Sequence, residues 1–189
     1  MKTRLLVSFI LLSSIIISCG VAKNSSDNNP KVQTTFFGAK FGEKGEWEVT
    51  SKMKEKRIGY DLCRINKSTW AFKDVSFAKE NWEAASIYFE EQVFHRIAFS
   101  NRFSTKEEAL EFEEKVKLFL MKKYPLKNSP FLSAFDNIYT YHDSMMNTVS
   151  VCLLNIKSIE DKPWTCSVVY SWYKSGNIAE EKAMSEIKL

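Results

Sequence analysis

Histidine is nearly absent from this chain: two stand in 189 residues, His95 and His142, far apart. No Cys-x-x-Cys and no His-x-x-x-His pair occurs, so the spacings that hold zinc are missing and no metal is expected. Glycine is scarce as well. There are six, and Gly38, Gly42 and Gly45 are spaced wrongly for a phosphate-cradling or dinucleotide loop. No Gly-x-Ser-x-Gly elbow is present. His142-Asp143-Ser144 has the residue types of a serine triad, but three consecutive residues cannot converge on one another, so the segment reads as a turn. Neither charge dominates. Lys and Arg number 27 against 23 Asp and Glu, a formal +4, too little for the clustered basic face that nucleic acid requires. Paired carboxylates occur at Glu90-Glu91 and Glu107-Glu108, a turn and a helix start, where charge is favourable on structural grounds alone. No cofactor is implied by any of these patterns.

Aromatic residues, by contrast, make up 14% of the chain, mostly Phe. With 44% hydrophobic and 26% charged residues, the balance is that of a globular protein. About 150 ordered residues bury roughly 70% of the surface exposed when unfolded, enough for a core without staples.

The N-terminus has three parts: the basic Met1-Lys2-Thr3-Arg4, an apolar run over residues 5–17, and the small Ser18 before Cys19. This is the layout of a secretory signal. The run is shorter than the ~20 residues a helix needs to cross a bilayer. Ile16-Ile17-Ser18-Cys19-Gly20 resembles the lipobox of bacterial lipoproteins, with Ile16 where that family most often has Leu. The resemblance implies diacylglyceryl transfer to the Cys19 thiol, cleavage before Cys19 and acylation of the new amine. Loss of Lys2 and Arg4 with the leader would leave a mature charge of 4 − 2 = +2. Gly20 in place of Asp, by resemblance to enterobacterial sorting, implies the outer membrane and a periplasm-facing position, with surface exposure as the other option.

The expected organisation is a signal peptide (1–18), a lipidated flexible tether (19–33) containing Pro30, a single domain (34–175), and a charged tail or short helix (176–189). A helix is expected over 46–57, with Trp47, Val49, Thr50 and Met53 on one side and Gly59 as its stop. Trp70, Phe72, Val75 and Phe77 suggest a broken strand. Residues 83–100 alternate as a hairpin about Glu90-Glu91-Gln92. A second helix, 105–123, is expected to be capped by Ser104 with Glu107 completing the capping box. Its apolar stripe is Ala109, Phe112, Val116, Phe119 and Leu120, and Pro125 closes it. Strands are expected over 137–142, 148–157 and 164–173.

This order predicts an α+β fold: an antiparallel sheet with two helices on one face, arranged as two α-β-β-β units. The layout resembles the small α+β modules of the BamE-like and beta-lactamase-inhibitor-like group and of small Gram-negative envelope lipoproteins. The residues carrying that resemblance are Phe36-Phe37-Gly38 with Gly42, Val93-Phe94-His95-Arg96-Ile97-Ala98-Phe99, and Leu120-Met121-Lys122-Lys123-Tyr124-Pro125. They imply a fold and carry no catalytic residue.

Cys63, Cys152 and Cys166 remain after Cys19. Cys152 and Cys166 fall on adjacent expected strands and are a candidate disulfide; a one-residue slip would put their side chains on opposite faces and forbid it. Trp164, Tyr170, Trp172 and Tyr173 are candidates for a binding surface, since Trp and Tyr dominate binding hot spots, although half-buried sheet aromatics look the same in sequence. The expected function is a non-enzymatic binding or assembly module, held at the membrane by lipid on Cys19, with another envelope protein or a small ligand as partner. The alternatives are an envelope hydrolase or thiol enzyme using Cys63 or a carboxylate, and a structural envelope component.

Overall fold

A computed structural model of the chain describes residues 29–56, 60–129, 137–157, 159 and 161–173. After a short hairpin, β1 (Thr35–Phe36) and β2 (Ala39–Lys40), comes helix α1 (Glu46–Glu55). Four strands follow: β3 (Tyr60–Asn66), β4 (Thr69–Phe77), β5 (Glu80–Glu90) and β6 (Val93–Phe103). Helix α2 (Lys106–Met121) precedes β7 (Lys127–Asn128), β8 (Asn137–His142), β9 (Thr148–Asn155) and β10 (Trp164–Ser171). The eight later strands make one antiparallel sheet in the order β3-β4-β5-β6-β10-β9-β8-β7. The last strand of each set, β6 and β10, thus meet at the centre.

The protein is therefore mostly β, with half of the described residues in strands and a fifth in helices, which corrects the α+β description and its two three-stranded units. The extra strand content has identifiable sources. Strand β3 reads Tyr60-Asp61-Leu62-Cys63-Arg64-Ile65-Asn66 and lacks alternation, because its pairing with β4 shifts register twice and Asp61 takes φ +52°. The β5–β6 hairpin extends to Glu80 and Phe103 on the strength of its cross-strand pairs. Its turn, Glu91-Gln92, has both φ values positive, as the right-handed strand twist favours.

Residues on one face of the sheet alternate into the core: Phe72, Ile87, Phe99, Val151, Leu153, Val168 and Tyr170. Val49 and Met53 of α1 and Ala109, Val116 and Leu120 of α2 join the same cluster, so both helices pack on this face. Phe36, from the first hairpin, sits among Phe41, Phe77, Phe99 and Tyr170, with ring centroids 4.9–6.3 Å away. A strap over 42–45 closes the layer: Gly42 donates to the Phe94 carbonyl at 2.9 Å, and Phe94 donates to the Glu43 carbonyl at 2.9 Å. Gly42 has φ +91°, and a Cβ there would lie 3.0 Å from the Trp172 ring, so the position demands glycine.

Both helices differ in detail from the expected ones. The α2 cap is Thr105, whose side chain accepts from the Glu108 N–H while Glu108 reaches back to the Thr105 N–H, one residue later than the Ser104/Glu107 reading. The buried stripe also differs from the expected one: Glu113 is buried with Ala109, Val116 and Leu120, whereas Phe119 is turned outward. In α1, Val49, Thr50 and Met53 are buried, but Trp47 is 67% exposed. The expected stop at Gly59 and the charged tail lie outside the described residues.

Candidate functional site

The sheet's second face carries small and polar side chains: Ser86, Ala98, Ser100, Ser150, Cys152, Ser167 and Val169. Ser100 and Ser167 hydrogen-bond across β6 and β10 at 2.8 Å. Arg96 lies over the Tyr88 ring, 5.8 Å from its centroid. Burial raises the Tyr88 hydroxyl pKa, with Arg96 opposing, and lowers that of Arg96. These residues are themselves buried, so this face is not an open apolar patch.

A concavity lies at the end of the sheet where β6 hands over to α2. It is a cleft of about 640 Å³, a size typical of small-ligand sites. Phe103 and Phe112 form its apolar wall, their rings 5.3 Å apart, and Trp82 backs Phe112 edge-on at 5.3 Å. Phe112 faces it because it borders the buried stripe of α2 and is itself half-buried against the core. Three carboxylates (Glu83, Glu108, Glu111) and three cations (Arg102, Lys115, Lys162) ring the wall, a balanced set.

Most of these charges are already placed by protein contacts. Glu83 accepts from Arg102 Nε at 3.1 Å and from Lys162 Nζ at 2.9 Å, so one carboxylate joins β5, β6 and the β9–β10 connection. The Glu83 backbone N–H donates to the Asn101 side-chain oxygen at 2.6 Å, and Asn101 Nδ2 donates to the Asn81 carbonyl at 2.9 Å. Lys115 reaches Glu80 at 2.8 Å. Glu108 is committed to the α2 cap. The result is a rim of both charges, largely ion-paired, beside an aromatic wall. No histidine or cysteine lines it.

The expected site residues fall elsewhere. Tyr170 is 2% exposed and belongs to the core. Trp164 is half-buried with Lys106 Nζ 5.0 Å above its ring. Trp172 packs on the core beside Gly42, and Tyr173 is exposed. These four do not form one surface.

The β9–β10 register pairs Cys166 with Leu153 and Cys152 with Ser167. This is the slipped arrangement: Cys166 points into the main core, Cys152 into the second face, and both thiols are free. Burial raises the Cys152 thiol to about 12, helped by Glu113, and pushes Cys166 well above its ordinary value. Both are held as inert thiols. Cys63 is exposed on edge strand β3.

Burial brings His95 down to about 3, with Arg96 adding to the effect, so it is neutral at ordinary pH. Burial also lowers His142, against the pull of Asp143; its Nδ1 lies 3.0 Å from the Thr148 hydroxyl. Asp143 is buried and accepts four N–H groups: from Val32, Met145 and Asn147 backbones and from Asn147 Nδ2, at 2.9–3.1 Å. His142-Asp143-Ser144 is thus a turn with a structural carboxylate. Sequence reasoning missed the cleft because Glu83, Arg102 and Lys162 are ordinary surface charges until the sheet registers them.

Among the described residues, no three His, Cys, Asp or Glu side chains are placed to hold a metal ion, and no helix is long and apolar enough to cross a membrane. No protein-family model matches the chain, and neither the curated proteins nor the solved structures compared with it give a match.

Proposed function

We propose that the protein is a lipid-anchored envelope module that binds a small zwitterionic ligand in the cleft between β6 and α2. The cleft's composition is the observation that carries the ligand-binding reading. An aromatic wall formed by Phe103 and Phe112 supplies apolar contact, while fixed cations and carboxylates face it in equal number. A ligand with an apolar body and both charges complements that rim, and the pre-formed ion pairs lower the ordering cost of binding. A binding role is favoured over a hydrolytic one because no histidine or cysteine lines the cleft, and Glu83 and Glu108 are engaged by Arg102, Lys162 and the helix cap.

Anchoring rests on Cys19 in its lipobox-like setting. Two or more acyl chains give a stable membrane hold, at about 0.8 kcal/mol per buried methylene. Radioactive palmitate should label the wild-type chain and spare Cys19→Ala; equal labelling of both would refute the anchor.

The ligand-binding reading is tested by calorimetric titration of the full lipidated chain in detergent with a panel of dipeptides bearing aromatic or aliphatic side chains. Binding is expected for wild type and should weaken at least about tenfold in Phe112→Ala, the cost of losing a buried aromatic contact. An affinity unchanged in Phe112→Ala, or no binding across the panel, would overturn it.

A further inference from the structure

Four exposed large hydrophobic side chains, Leu118, Met121, Met145 and Tyr173, lie on the last turns of α2 and about the Asp143 turn; Trp47 on α1 and Phe119 are exposed as well. Leu118 and Met121, 54% and 48% exposed, lie one turn apart on the last turns of α2. Met145, 59% exposed, tops the turn built on Asp143, and the exposed Tyr173 joins it through its N–H to Asn147 Oδ1 at 3.4 Å. Lys122 and Lys123 follow Met121 directly and are exposed, as is Lys31.

The N-terminal segment enters the fold at this same end. Tyr141 donates its hydroxyl proton to the Pro30 carbonyl at 2.8 Å. The Val32 N–H donates to Asp143 Oδ2 at 3.0 Å, and the Gln33 N–H to the Tyr124 hydroxyl at 3.2 Å. Tyr124 comes three residues after Met121 and stacks on Tyr141 at 5.7 Å. Three contacts therefore hold the start of the fold against the apolar, basic end of α2.

We propose that this end, with Leu118, Met121, Met145 and Tyr173 set among Lys31, Lys122 and Lys123, docks onto an anionic lipid surface. The proposal rests on the anchored reading above. From Cys19 to Pro30 is 30 − 19 = 11 residues, which reach at most about 40 Å. A lipid on Cys19 would bring this end, where the N-terminal segment enters the fold, within reach of the bilayer, and the patch itself would set which face docks. Charge agrees: Asp143 is spent on amide donors, and Glu114 is paired with Lys117. The acidic Glu90-Glu91 turn, at the same end of the sheet, bounds the basic patch on its β5–β6 side. Apolar tips flanked by lysines match a headgroup boundary, where each lysine near an anionic surface raises binding about fivefold. Docked in this way, the cleft-lining residues of α2, from Glu108 to Lys115, stand about 9–20 Å along the helix from Met121.

The test uses the full lipidated chain with the exposed Cys63 replaced by Ser and a single new cysteine, Met121→Cys or Glu107→Cys, carrying an environment-sensitive fluorophore. Each protein is reconstituted in phosphatidylethanolamine–phosphatidylglycerol vesicles and in phosphatidylcholine vesicles containing a lipid-borne quencher. In the anionic vesicles the probe at 121 should shift to the blue and be quenched, while the probe at 107 should stay aqueous. Adding Lys122→Glu and Lys123→Glu should cut the quenched population several-fold, toward the phosphatidylcholine value. An aqueous probe at 121 in a chain that carries palmitate overturns the docking and leaves the anchor standing. A probe at 121 that leaves water only when envelope proteins are added overturns it in favour of a protein partner. Absence of palmitate on Cys19 sinks the anchor, and this proposal with it.

Discussion

Single side chains in this protein are governed by whether burial leaves them a partner. His95 sits on β6 with its Nδ1 unbonded among the described residues, and burial holds its pKa near 3 against an ordinary 6.5. The folded state therefore takes up its proton only in strong acid, whereas the unfolded chain does so near 6.5. Between those values the unfolded state binds more protons, so stability is present above 6.5 and is lost as pH falls toward 3. Going from pH 7.5 to 5.5 should cost about 1.4 kcal/mol from this residue. Urea unfolding of wild type at the two pH values, compared with His95→Gln, checks it: the loss should shrink by about that amount in the variant. His142, lowered in the same direction, contributes to the remainder. The buried Cys152 and Cys166 follow the same logic with the opposite sign. Burial keeps a thiol protonated, and protonated thiols in a core resist oxidation and alkylation.

At the scale of elements, the start of α2 and the face it buries are set by different contacts. Thr105 caps the helix through its own side chain, while packing on the sheet turns Ala109, Glu113, Val116 and Leu120 inward, and Asn137 on β8 donates to the Glu113 carboxylate at 2.9 Å. Phe112 is thereby directed to the cleft and Leu118 and Met121 to solvent. Thr105→Ala should destabilise the protein by about 1 kcal/mol, whereas Ser104→Ala should change it by no more than a few tenths. Thermal unfolding of the two variants decides between the caps; a larger loss in Ser104→Ala would refute the Thr105 assignment. The strands show the same dependence on context. The β9–β10 register, not the presence of two cysteines, decides the disulfide question, because a one-residue offset sends alternate side chains to opposite faces.

Across the whole molecule, the sheet separates two ends. One carries the cleft, the other the N-terminal segment and the apolar, basic patch. Asp143 couples the latter to the sheet, linking Val32 to a turn 111 residues away. Asp143→Ala would leave the Val32, Met145 and Asn147 amides without their acceptor, at a cost of roughly 3 kcal/mol. It should also raise the rate of proteolysis around residues 30–33. Mass mapping of limited digests would show that cut, and digestion at wild-type rate there would refute the latch.

Local chemistry alone determined a good part of this. Alternation located β5, β6, β9 and β10, because a strand with one core face imposes a period of two on its own residues. The helical spacing of Val49, Thr50 and Met53, and of Ala109, Val116 and Leu120, located both helices. Other features were decided by tertiary structure. Strand β3 exists because β4 offers it an edge, despite its bulges. The helix cap, the buried Glu113 and the outward Phe119 depend on which partner the sheet presents to α2. The cleft depends on Glu83, Arg102 and Lys162 meeting from three separate segments. Periodicity is written in neighbouring residues and can be read from them, whereas register, ion-pair geometry and the facing of the two ends arise from contacts between residues 19 to 111 positions apart.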